Sequence, residues 1–415
     1  MAPIRQVLSF ATGLYRQRAY MAYAGYLRRE PMALLQLRPG REDPYALYER
    51  FRRQGTMVAT PLGSWVTTNH RLCGAVLRDR RFGVRPEGLT FEADEGFDAS
   101  FLGKNPPDHT RLRRVAAPAF SAKQMMDYAP RVEETVAALL GRAEATGQFD
   151  LVSGLASPLP IAVITDLLGV PDADADDFAR YGAAFGSAVD GVRSLSHAAR
   201  LQEAGTALTK LFEGLFALRL REPADDFVTR LIDAEGDQVR PEEMLPMCIL
   251  LLIAGFETTV NLIGNAVNAL LDHPEQWKAL CADPEAMAPR AVEEVLRFDP
   301  PVQRAIRFAL EPVELDGKPV RRNQAVVTMI GGANRDPEAF PDPNRFDIQR
   351  EQTGEHLAFS SGIHYCVGAP LARLEATVAL RMLAERMPGL QRAGATRRRN
   401  SQTVRGPIRL PVRVG

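Results

Sequence analysis

The chain has 415 residues, 51 basic against 51 acidic side chains, and 46% hydrophobic residues. That is ample apolar material for a large buried core, and the balanced charge argues against a nucleic-acid partner attracted by net electrostatics. The four cysteines (Cys73, Cys248, Cys281 and Cys366) show no C-x-x-C or zinc-like spacing and suit a reducing cytoplasm better than a disulfide framework.

Residues 7–14 form an apolar run, but Arg16 and Arg18 interrupt it before the small-residue triplet at 22–24, so no cleaved signal peptide is expected. The basic stretch 16–29 is read as a solvated leading helix in preference to a membrane-surface one. Residues 1–40 thus form a leading segment, and 41–415 one domain. Apolar spacing with start and stop signals predicts helices over 44–54, 71–79, 109–117, 130–146, 197–220, 241–271, 289–298 and 369–386. Short strand patterns fall at 65–68, 307–310, 313–315 and 325–330, with the turn Asp316-Gly317 between two elements. The longest uncharged apolar run, 247–256, ends at Glu257 and falls short of the ~18 residues that span a bilayer. The basic run 397–399 reads as a solvated loop. The expected fold class is mainly α with small antiparallel β-sheets.

His109 and Arg113 lie four apart on one predicted helix face, which suits an anion. Arg111 and Arg114 lie off that face and form at most a weak basic patch. The predicted helix 241–271 would be about 45 Å long and is apolar all round in its middle, as a buried helix is. Ala254-Gly255-Phe256-Glu257-Thr258-Thr259 interrupts that stretch. Gly costs roughly 1 kcal/mol against Ala inside a helix, and an unpaired buried carboxylate costs more. The plainer reading is a packing glycine, with the Thr258 hydroxyl bonded to a carbonyl one turn earlier. Glu294 and Arg297, three apart, would on an exposed helix form a weak pair.

The sharpest signal is FSSGIHYCVGAPLAR, from Phe359 to Arg373. Gly362 and Gly368 permit backbone angles that other residues resist and the close approach of a flat ligand. Pro370 suits the first turn of a helix. Cys366 therefore precedes a helix N-terminus, where amides favour an anion, lower a thiol pKa and suit a thiolate metal ligand. The plainer fate of a free cysteine is inert burial, and Cys73, Cys248 and Cys281 are read that way.

Phe-x-x-Gly-x-His-x-Cys-x-Gly resembles the haem-binding loop of the cytochrome P450 superfamily. The resemblance recurs in four other segments, covers the chain from about Pro44 onward, and is to the soluble bacterial, actinobacterial type. It implies a triangular α-rich domain with haem b between the long central helix and the helix of the cysteine loop. Cys366 would be the axial ligand to the iron, with Phe359, Gly368, Ala254 and Gly255 around the haem. His109, Arg113, Arg307 and His364 would hold its propionates. Thr258 would hydrogen-bond the oxygen being activated or its water, and Glu257 would relay protons. Glu294, Arg297 and Arg345 would form a structural network. Phe91, Phe97, Phe185, Ile253, Val302 and Gln303 would line the site for a largely apolar small substrate. The resemblance further implies hydroxylation or epoxidation with O2, in the cytoplasm, with electrons ultimately from NAD(P)H. These would come through a separate ferredoxin reductase and ferredoxin, since no Gly-x-Gly-x-x-Gly follows a predicted strand. Alternatives are a haem-thiolate peroxygenase or isomerase, against which the Glu257-Thr258 pair argues, and a non-catalytic haem carrier.

Overall fold

The longest helix, Pro241–Asp272, runs for 32 residues through the core of the computed structural model. Glu243 in its first turn accepts a hydrogen bond from the Arg240 amide, and Pro246 lies inside the helix without ending it. By length and apolarity this helix could cross a membrane, yet 78% of its apolar window is buried within the fold. It is a core helix, packed by the helices Pro158–Leu168, Ala175–Ala188, Pro284–Phe298 and Ala369–Arg386. The structure describes residues 4–415 apart from 62, 89–98, 172–174, 193, 237 and 352–353. Phe91 and Phe97 lie outside the described residues.

The main sheet has five strands in the spatial order Val58–Ala59, Trp65–Thr67, Ala325–Thr328, Ala305–Ala309 and Phe82–Gly83. One of its pairings departs from the antiparallel expectation: Trp65–Thr67 runs parallel to the strand carrying Val326 and Thr328. The two strands are far apart in sequence, so no hairpin sets their direction. Strand Pro411–Arg413 pairs with Gln148–Asp150 and Gln391–Arg392, none of which was expected.

Two helices begin earlier than their prolines suggested. The helix expected over 130–146 spans Ala122–Thr146, and that expected over 289–298 spans Pro284–Phe298. Pro130 and Pro289 sit inside them. The starts belong to Ser121, whose hydroxyl accepts from the Gln124 amide, and to Asp283, whose carboxylate accepts from the Ala286 amide. Helix Pro158–Leu168 was missed, and of helix Ala175–Ala188 only a loop or a helix start over 171–177 was expected. The first is buried along almost its whole length and shows little amphipathic contrast.

The basic run 397–399 is not a solvated loop throughout. Arg398 reaches Asp299 and Asn265 at 3.4 Å each, and Arg399 lies 2.7 Å from Glu257. Arg111 likewise offers no free charge for an electron donor, because its guanidinium forks onto Glu243 with two bonds of 2.8 Å and onto Asp108.

Candidate active site

The loop before helix Ala369–Arg386 is shaped by its own backbone. The Cys366 amide donates to the Phe359 carbonyl at 2.9 Å, and the Tyr365 amide to Gly362 at 3.0 Å. Gly362 has φ +71, and a Cβ there would lie 2.6 Å from the Leu77 carbonyl oxygen, so this position requires glycine. Gly368 differs from expectation: its φ is −86, and the nearest atom to an added Cβ is 4.0 Å away. Its backbone is ordinary, and its small size leaves open space.

Cys366 has an exposed surface although protein atoms ring it, so it faces an internal opening. Burial raises its thiol pKa, while the amides of Gly368 and Ala369 and the charges of Arg113 and Arg373 act the other way without prevailing. The helix start alone therefore does not make the thiolate, contrary to the sequence reading. Coordination to a metal would, since it deprotonates a thiol outright. Arg373 stacks over Phe359 at 4.5 Å and bonds Glu293, which also meets His356. Burial opposes ionisation of Glu293, but those two hydrogen bonds outweigh it and hold the carboxyl at about 2. This second ion network under the loop was missed, although Glu293 immediately precedes Glu294 and Arg373 ends the motif.

Helix Asp108–Ala116, strand Ala305–Ala309 and the cysteine loop bring four basic side chains together. The rings of His109 and His364 stand 4.1 Å apart, and both His109 nitrogens and His364 Nε2 are buried without a partner. Burial first, then Arg113 and Arg307, lower His109 to about 4; burial, Arg307, His109 and Arg113 lower His364 to about 3. Arg113 donates to the Tyr365 carbonyl. Arg307 is buried, and burial lowers it to about 10; its donors reach only the Ile306 carbonyl and the Ser360 hydroxyl. Among the described residues no carboxylate pairs with any of the four. Such a cluster suits an anionic ligand.

On the central helix, Ala254 is exposed while Leu252, Phe256 and Glu257 are buried, so the helix has one open patch in mid-length. Thr258 is on its edge and donates to the Ala254 carbonyl at 3.1 Å, the back-bond of the plainer reading. Gly255 packs instead of opening space: a Cβ there would lie 2.9 Å from Ile164. Glu257 is buried, and burial raises its pKa against the opposing charge of Arg399.

Glu294 and Arg297 form a buried fork with two bonds of 2.8 Å. Arg297 further donates to the carbonyls of Asn334, Pro343 and Arg345. Arg345 therefore enters only through its backbone. Its side chain is 65% exposed and turns to Asp347 at 3.3 Å. The second arginine on Glu294 is Arg350, at 3.5 Å. The proline-rich segment bends so that the Arg345 side chain points outward. Gln303 is also corrected: it is buried, accepts from the Tyr48 hydroxyl and donates to the Pro300 carbonyl, which makes it a structural link. Phe185 and Ile253 pack with the main core, and Val302 with the cluster around Cys73 and Leu77.

A thiol facing an opening at a helix start, an exposed patch in a buried helix and an acid-free basic cluster together define a haem-thiolate protein. The comparisons agree. The family model "Cytochrome P450" matches residues 196–386. The chain is 41% identical over 361 residues to the cytochrome P450 monooxygenase PikC of Streptomyces venezuelae, covering 84% of this chain and 85% of that one. It is 39% identical to the mycinamicin IV hydroxylase/epoxidase of Micromonospora griseorubida, covering 86% and 91%. The ligand-free crystal structure of Mycobacterium smegmatis CYP164A2 matches with a TM-score of 0.85 at 37% identity, covering 92% and 99%. The chain belongs to the cytochrome P450 family, and it is a haem-dependent monooxygenase of the bacterial kind. The residues present fit the haem that the family implies: Cys366 for its metal, and His109, His364, Arg113 and Arg307, with which no carboxylate among the described residues pairs, for its carboxylates.

Proposed function

We propose that this enzyme hydroxylates or epoxidises a largely apolar small molecule, with haem b on Cys366. Its electrons would pass from NAD(P)H through a ferredoxin reductase and a ferredoxin in the cytoplasm. The observation that carries this reading is the acid-alcohol pair Glu257-Thr258 beside the exposed Ala254 in an otherwise buried helix.

The haem supplies the redox-active metal at which O2 is reduced and cleaved. Cys366 would hold that metal as a thiolate, whose electron density would favour O–O cleavage. Arg113, Arg307, His109 and His364 orient the group through its carboxylates. The methyl of Ala254 leaves room on the oxygen side. The Thr258 hydroxyl, now bonded to the Ala254 carbonyl, would be free to donate to the oxygen being activated or its water. Glu257, isolated from bulk water, holds the proton passed towards Thr258. The apolar residues around Ile253 exclude water and receive the substrate.

Related proteins support an apolar substrate. Relatives are named for hydroxylation of 6-deoxyerythronolide B and mycinamicin IV, and solved structures hold testosterone and myristic acid. The test is product formation by purified protein with O2, NADPH, ferredoxin reductase and ferredoxin, against peroxide alone. Candidates come from a screen for substrate-induced Soret shifts. Efficient turnover with peroxide and none with the electron donors would overturn the proposal.

A further inference from the structure

The strand Arg397–Arg398 pairs with Pro407–Arg409, and the Arg399 amide donates to the Gly406 carbonyl at 2.9 Å. From this hairpin the chain sends polar groups to two other elements. Arg399 lies 2.7 Å from Glu257 on the central helix, with both side chains buried (12% and 7% exposed). The Ser401 hydroxyl and the Gln402 amide reach Asp190, just beyond helix Ala175–Ala188, at 2.6 and 2.9 Å. That helix also closes on the acid: a Cβ on Gly186 would lie 2.8 Å from Glu257 Oε1.

Among the described residues few charged and titratable groups lie around Glu257; one on a packed helix is Glu375, which meets Thr259 two residues along. Arg399 meets the carboxylate itself. Asp190 and Arg304 stand 3.7 Å apart behind the hairpin, and His197 lies 3.4 Å from the Ala184 carbonyl. Asn261 donates to the Glu257 backbone, not to its carboxylate. The Glu257–Arg399 contact is a close approach of charges without an aligned hydrogen bond, because Glu257 Oε1 and Arg399 Nε both lack a hydrogen-bond partner. An acid held this way keeps an oxygen free of hydrogen bonds, whereas a forked pair occupies both oxygens and resists protonation.

We infer that Arg399 is a positioning residue for the acid of the oxygen-activating pair. Its guanidinium aims the Glu257 carboxylate and sets how readily that carboxylate takes up and releases a proton. The inference rests on the reading of Glu257 as the proton relay. It gives the carboxy-terminal hairpin a part in the chemistry, beyond bracing the core.

The test uses the haem-loaded full chain with Arg399→Gln, Arg399→Lys and Glu257→Gln. Infrared difference titration follows the protonated-carboxyl band that Glu257→Gln removes. Loss of a nearby positive charge favours the protonated acid. In Arg399→Gln the band should therefore persist to higher pH, and peroxide released per O2 should rise several-fold. Arg399→Lys keeps the charge and should restore most of both. A pure brace would lower Tm in Arg399→Gln and move neither the band nor the coupling, and that result would overturn the inference. If Glu257→Gln itself remained coupled, the relay reading would fail instead. Should Arg399→Gln not fold, Glu257→Asp withdraws the carboxylate by one methylene from the guanidinium. It should shift the band and the coupling in the same direction, and an unchanged titration there would count against Arg399.

Discussion

Two buried acid–arginine pairs in this protein are built differently. Glu294–Arg297 is saturated: the guanidinium places donors on Glu294 and three carbonyls, and Glu294 also accepts from the Asp347 amide. Glu257–Arg399 has a short contact but leaves Glu257 Oε1 and Arg399 Nε without hydrogen bonds. The saturated pair joins helix Pro284–Phe298 to the segment carrying Pro343, Arg345 and Asp347, and nothing about it can change without a loss. The bare pair sits beside Thr258, where the proposed relay would move a proton. Full satisfaction fixes a shape, and incomplete satisfaction leaves a group ready to react.

Substitutions can break or sharpen that contrast. The largest effect belongs to Cys366, the proposed haem ligand. Cys366→Ser should abolish the reduced-CO Soret band of thiolate ligation along with turnover, and a persistent band would remove Cys366 as ligand. Next comes Glu294→Ala, which strands Arg297 and should cost about 3–5 kcal/mol in chemical denaturation. A loss no greater than that of a surface substitution would erase the distinction between the pairs. Thr258→Ala should leave the fold and the Soret spectrum intact while diverting much of the O2 consumed into peroxide. Normal coupling would show that its back-bond to Ala254 is the whole of its role.

A smaller effect concerns pH. His109 is held at about 4 in the fold, against about 6.5 when unfolded. Between these values the unfolded chain binds more protons, so the stability of the apoprotein should fall as pH drops through that window. Haem carboxylates beside the ring would raise the folded value and flatten the slope in the loaded protein. Equal slopes for apo and loaded protein would separate His109 from the propionates. The smallest effect is that of Arg345→Ala, within about 0.5 kcal/mol, because the residue serves the network through its carbonyl. A loss as large as that of Glu294→Ala would restore its side chain to the network.

Much of this was legible in the sequence. The central helix, the cysteine loop and the pairing of His109 with Arg113 are local patterns set by spacing, caps and turn residues. The Arg345 error has the opposite origin: sequence can place a residue at a network without telling whether backbone or side chain enters it. Arg399 was invisible because a basic triplet reads as solvated until a distant acid is known to face it. That Gly255 makes its close contact with Ile164 was not legible. The helix Pro158–Leu168 that makes this contact is buried on nearly every side and carries no amphipathic signal. Pro130 and Pro289 misled because an interior proline costs a helix a hydrogen bond without always ending it, and the starts belong to caps further upstream.

The Leu410 amide donates to the Asp150 carboxylate at 2.8 Å, across 260 residues of chain, and strand Pro411–Arg413 then zips along Gln148–Asp150. A nascent polypeptide leaving the ribosome cannot make this closure until the 260 residues between the two partners have been made. The segment around Phe149 must wait with its edge unpaired, and such long-range pairings are slow to form and prone to aggregate. Recombinant yield of this enzyme should therefore depend on translation speed, and on chaperones that shield that waiting edge.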